Sequence, residues 1–155
     1  MAEDIKKAYG ELKKKYPLPE FSEINAEYEI STLENAEFLL RRIKERITEK
    51  LEFIGQTLGA ILQPDTNSVA DMHEYRAFTE EDKREIFEIY GKIMILHRTA
   101  IELSINGTDK ELASYISSSF EKINGFKKSI IKHVQKLRHS WEKQLVAKEE
   151  LGYLG

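Results

Sequence analysis

From Leu112 to Leu145 bulky apolar residues return every three or four positions: Leu112, Ile116, Phe120, Ile123, Phe126, Ile130, Val134, Leu137, Trp141 and Leu145. That period matches the α-helical turn, so these side chains line one face of a single helix. The chain has only three prolines, at 17, 19 and 64, and none falls in this stretch. At about 1.5 Å per residue such a helix spans roughly 60 Å, and whatever covers its seam must be of similar length. Thr108-Asp109-Lys110-Glu111 supplies a capping box at its start.

Two other stretches can pack against it. The first opens at Ser31-Thr32-Leu33-Glu34, a second S/T-x-x-E capping box, and carries Ala36, Leu40, Ile43, Ile47, Leu51, Ile54, Leu58 and Ile61 to a stop at Pro64. Its opposite face holds Arg42, Glu45, Arg46 and Glu49. The next begins near Thr79, with Asp82 three residues on. It carries Ile86, Ile89, Tyr90, Ile93, Leu96, Ala100 and Leu103 to the Asn106-Gly107 stop. It also has a second apolar face, Phe87, Met94, Ile101 and Ile105, as expected of a central helix. These stretches span roughly 45 and 40 Å, so the last helix overhangs them. A short N-terminal helix bearing Ile5, Tyr9, Leu12 and Tyr16 is the candidate to cover the overhang.

The expected fold is therefore all-α, an antiparallel three- or four-helix bundle with a long C-terminal helix and a short N-terminal helix. Its 155 residues suit one domain. Residues 1–30 form the N-terminal helix and linker, 31–148 a three-helix core, and 149–155 a tail. Phe21, Ile24 and Tyr28 give the linker a helical spacing of its own.

Composition narrows the chemistry. The chain has no cysteine, which excludes disulfides, thiolate nucleophiles, Cys-ligated zinc and iron–sulfur centres. No uncharged apolar run is long enough to span a membrane. The opening MAEDIKKAYGELKKK lacks the apolar core of a signal peptide. Together these features read as a cytoplasmic protein. Net charge is only −3, yet it is unevenly distributed. Residues 1–40 carry nine acids and five bases, whereas residues 121–148 carry two acids and eight bases. Such asymmetry marks an anionic partner or internal neutralisation.

Three constellations are candidate sites. The 63–78 connection is long for a helix–helix link and contains SVADMHEYRAF. Asp71, His73 and Glu74, with Asp65, offer oxygen and nitrogen donors for a metal or for acid–base work around 71–76. A short helix capped by Ser68 accounts for the same residues without chemistry. In it His73 and Glu74, as neighbours, point apart. The second candidate is an internal polar pocket. The tight turn at Gly107-Thr108 places His97 level with Ser117, Ser118 and Ser119, and Gly91 level with Gly125. A His97–Ser119 hydrogen bond, and close helix approach or a ligand slot at the two glycines, follow from that register. The third is a basic stripe. Lys128, Lys132, Lys136, His139 and Lys143 fall within about 80° on a helix, opposite a seam in which Trp141 is core. Such a stripe suits phosphate contact or an acidic partner, and it equally describes a solvated face.

The sequence lacks a Walker loop, H-E-x-x-H, G-x-S-x-G and the E-x-x-H of di-iron bundles. The leading expectation is a non-catalytic helical interaction or assembly protein, a homo-oligomer or a subunit bound to a protein partner, with no cofactor and no membrane. The alternative is a nucleic-acid accessory factor using the basic stripe. A metal-dependent or acid–base enzyme centred on the 71–76 loop is the third.

Overall fold

Two reciprocal caps fix where the longest helices begin. Thr79 and Asp82 cap one another reciprocally: Thr79 N donates to Asp82 Oδ2 at 3.0 Å and Asp82 N to Thr79 Oγ1 at 3.1 Å. Thr108 and Glu111 do the same at 3.3 and 3.2 Å. Each pair satisfies two backbone N–H groups that a helix start leaves without partners.

The computed structural model describes residues 2–152. These residues are 84% helical, with no strand. The elements are α1 (Ala2–Lys15), α2 (Phe21–Tyr28), a 3₁₀ turn (Ile30–Thr32), α3 (Leu39–Leu62), α4 (Val69–Tyr75), α5 (Glu80–Asn106) and α6 (Asp109–Gly152). The expected three or four helices are thus six among the described residues. The short α2 and α4 account for the difference. The expected tail begins too early, because α6 continues through Gly152. Residues 153–155 lie outside the described residues.

The Ser31–Glu34 box does not form. Ser31 sits in the 3₁₀ turn and donates its N–H to Asn25 Oδ1 at 2.8 Å, while Glu29 turns left-handed (φ 48°) to end α2. This local network takes the donors a helix start would have used. As a result α3 begins only at Leu39. The residue before it, Phe38, is also left-handed (φ 51°) and 71% exposed.

The chain packs as two compact units. The first comprises residues 2–53 and 93–125. Its core joins Ile5 and Tyr9 of α1, Ile24 and Tyr28 of α2, Ile43 and Ile47 of α3, Ile93 of α5 and Leu112 and Ile116 of α6, all nearly or fully buried. Tyr9 fixes the α1–α2 link by donating to Pro19 O at 2.5 Å, and Ser117 of α6 donates to Pro17 O. So α1 packs in the unit that holds the start of α6.

The second unit comprises residues 54–92 and 126–152. Its buried apolar residues are Ile54, Leu58, Ile61, Phe78, Ile86 and Ile89. None comes from α6, whose buried apolar residues all lie between Leu112 and Ile123. Beyond Phe126 the expected seam is half-exposed, and His133 is the one described residue fully buried there. Val134, Leu137 and Trp141 are intermediate, so Trp141 is not a core residue. The second apolar face of α5 is likewise open: Phe87 is 67%, Ile101 43% and Ile105 81% exposed. The expectation of a central α5 covered on both faces therefore fails.

Candidate functional site

The second unit brings the quoted connection and the basic stripe together. In the connection, short polar side chains first fix the backbone. Asp71 Oδ2 accepts from Asp65 N at 3.0 Å, Asp65 Oδ1 from Asn67 N at 2.9 Å, and Ser68 Oγ from Asp71 N at 3.2 Å. These are turn and cap bonds, and they engage both aspartates structurally. The helix they start, α4, has no buried residue of its own.

What α4 presents is a dock for Trp141. The His73 ring lies 4.1 Å from the indole, centroid to centroid, at 32°. Its Nε2 is 3.2 Å from Ser140 O. A carbonyl only accepts, so that nitrogen carries the hydrogen. Glu74 Oε2 accepts the indole N–H at 3.1 Å. His73 and Glu74 therefore converge on one residue, contrary to the expectation that neighbours point apart. The indole is large enough for its face to meet one and its edge the other. Asp71 bonds within the connection while His73 and Glu74 turn to Trp141, and among the described residues no cluster of three metal-ligating side chains occurs.

The stripe divides by function along α6. Lys136 Nζ reaches Asp82 Oδ2 at 2.7 Å, and Lys132 Nζ lies 3.7 Å from Glu85 Oε2. His133, between them, is 0% exposed, with Nε2 3.1 Å from the same Glu85 oxygen and Nδ1 without a hydrogen-bond partner. The hydrogen bond from Lys136, then that from Thr79 N–H, lowers the Asp82 carboxyl to about 2. Lys132 and Lys136 are thus engaged with acids of α5. Lys128, His139 and Lys143 stay exposed.

Between α4, the 76–79 turn and α6 lies an open cleft of about 750 Å³. His73, Arg76, Thr79, Lys136, His139 and Lys143 line it together with Asp82 and Glu142. The acids there are already paired, Asp82 with Lys136 and Glu142 with Arg138 at 3.2 Å. Arg76 and Lys143 have no ion pair among the described residues, so the cleft carries net positive charge. Chemically it can hold a carboxylate or phosphate. Arg76 stood in the quoted segment but was not singled out there. Its signal was a lone cation in a turn, and only folding sets it beside a stripe more than fifty residues away.

His97 and Ser119 each bond to other groups. His97 Nε2 is 3.3 Å from Glu52 Oε1, and its Nδ1 accepts from Arg98 Nη1 at 2.6 Å. Ser119 is fully buried and donates to Tyr115 O at 2.6 Å and Ile116 O at 3.2 Å. A Cβ added at Gly91 or at Gly125 would meet nothing within 4 Å, so neither glycine is needed for close helix approach. Sequence reading missed a buried cation instead: Lys44, 5% exposed, donates to Ser104 Oγ. Burial lowers its pKa. Its position beside Ile43 and Ile47 on the α3 seam was the available signal.

No family model, curated protein or solved structure matches this chain.

Proposed function

We propose that this protein is a non-catalytic helical interaction protein, assembling with itself or with a protein partner in the cytoplasm through the C-terminal half of α6. One observation carries the reading. An amphipathic helix continues through the second unit, yet its seam residues Val134, Leu137 and Trp141 are only half-covered, and Leu145 and its neighbour Val146 are 61 and 54% exposed. Apolar surface in such a row marks contact with another molecule. The side chains that suggested chemistry, Asp71, His73, Glu74 and His97, each take part in caps, stacking or hydrogen bonds, which also favours a binding role over an acid–base or metal-dependent one. An antiparallel bundle remains our reading of how the long helices pack. Its support is that falling numbers on α5 meet rising numbers on α6: Lys92 with Phe126, Glu85 with His133, Asp82 with Lys136. Sedimentation equilibrium of the parent and of a Leu145→Glu/Val146→Glu variant tests the function. The expected result is an oligomer that the variant weakens at least tenfold. Equal behaviour of the two would remove the reading.

Arg76 and Lys143 favour one second reading, a nucleic-acid accessory factor, since they extend the free part of the stripe into a cleft. It requires oligonucleotide binding that weakens steeply with salt. It also requires loss of binding on replacing Lys128 and Lys143 by Glu, and no binding at low salt would end it.

A further inference from the structure

Residues 16–40 hold six acids, Glu20, Glu23, Glu27, Glu29, Glu34 and Glu37, and no base. Glu20 and Glu27 pair with Lys13 and Lys50. Glu29, Glu34 and Glu37 are exposed, and none has an ion pair among the described residues. The stretch that holds these last three acids runs between the two described non-glycine residues of positive φ, Glu29 and Phe38. Left-handed backbone is unfavourable for an ordinary residue and persists where the surroundings impose it. Here it leaves a phenylalanine ring 71% exposed at the end of a run of carboxylates, with the Arg41 guanidinium 6.0 Å from its centre. On the other unit, the cleft with uncompensated Arg76 and Lys143 lies on the same stretch of α6 as exposed Leu145 and Val146. One surface is acidic with an apolar tip; the other is basic with apolar flanks.

We propose that the Glu29–Phe38 segment of one copy docks into the basic cleft of a second copy, its carboxylates meeting Arg76 and Lys143 and Phe38 packing on the apolar residues of α6. This rests on the assembly reading above and names the occupant. The two surfaces differ, so the contact is heterologous: each copy offers one of each, and association continues head to tail into a ring or chain. Opposite charges on exposed surfaces make it sensitive to ionic strength.

The test uses two surface variants of the full chain, Glu34→Lys/Glu37→Lys and Arg76→Glu/Lys143→Glu, each checked for parental helix content. Sedimentation velocity at 50 mM and 1 M NaCl is expected to show parent assemblies that shrink in high salt. Each variant alone should self-associate at least tenfold more weakly. An equimolar mixture should assemble again, because the unchanged cleft of the first variant meets the unchanged segment of the second and their reversed surfaces are also opposite in charge. A mixture that stays monomeric, or either variant assembling like the parent, overturns the proposal. Assembly that ignores salt and both variants, yet fails with Leu145→Glu/Val146→Glu, overturns this docking and leaves the assembly reading standing. A parent that stays monomeric while its cleft binds a fluorescent oligothymidylate overturns both.

Discussion

Lys136 on α6 places its ammonium 2.7 Å from Asp82 Oδ2, the same oxygen that accepts the Thr79 N–H at the start of α5. One carboxylate thus caps a helix and ties it to another. Removing it should cost about 1–3 kcal/mol, because a cap is lost and a lysine is left without its anion. The Asp82 carboxyl is lowered to about 2, below its ordinary value of 3.8. A depressed carboxyl stabilises the fold above the unfolded value, and that stability is lost as pH falls through the folded one. Urea unfolding of parent and Asp82→Ala should therefore differ most above pH 4 and converge towards pH 2. A constant gap would contradict this role.

Lys44 and Ser104 make a contrasting pair, a buried ammonium whose hydrogen-bond partner is a neutral hydroxyl. Ser104→Ala should destabilise by about 1–3 kcal/mol, since it strips a buried charge of its acceptor. Lys44→Met keeps the length and removes the charge, so its stability should equal or exceed that of the parent. Thermal unfolding of both variants checks the order. A stable Ser104→Ala with a failing Lys44→Met would reverse the argument.

Burial raises the hydroxyl pKa of Tyr9, Tyr28 and Tyr115 above the usual 10. A group whose folded pKa is raised contributes stability that is present below its unfolded value and lost as pH rises through the folded one. In absorbance titration a free tyrosine gives its signal near pH 10. The signal from these three should appear only at higher pH, together with loss of helix. A single reversible transition with all seven tyrosines ionising in the folded protein would show the three to be solvated.

Trp141 is the chain's sole tryptophan, so its fluorescence reports on the docking of α4. His73→Ala removes the stacked ring and Glu74→Ala the acceptor of the indole N–H. Each should shift emission to longer wavelength with little change in helix content, since α4 buries no residue of its own. Unchanged emission in both would mean the indole does not rest on α4.

How much of this could be read in advance follows from the range over which each signal acts. Helix type, the Thr79 and Thr108 starts and the Gly107 stop are encoded within a turn or two of chain, and they appear where the spacing put them. At Gly107 an added Cβ would lie 2.5 Å from Leu103 O, so the stop has a steric reason as well. Ser31–Glu34 has the same letters and failed, because Asn25, six residues earlier, took the Ser31 N–H. The candidate site was legible in pieces. His73, Lys136, His139 and Lys143 were each named, but their meeting depends on how helices distant in sequence pack. His97 and Ser119 show the cost of a small error in register: both are placed near the core, and each bonds elsewhere. The half-covered seam beyond Phe126 could not be read at all, because apolar spacing states which face wants cover and not whether the same chain supplies it.

The central claim is that the open apolar and basic face of α6 exists to be covered by another molecule of the same kind. Light scattering on the purified parent, read across a hundredfold range of concentration at low salt, addresses it most directly. The account predicts a weight-average mass that climbs above that of one chain as concentration rises. A mass equal to one chain at every concentration would contradict it.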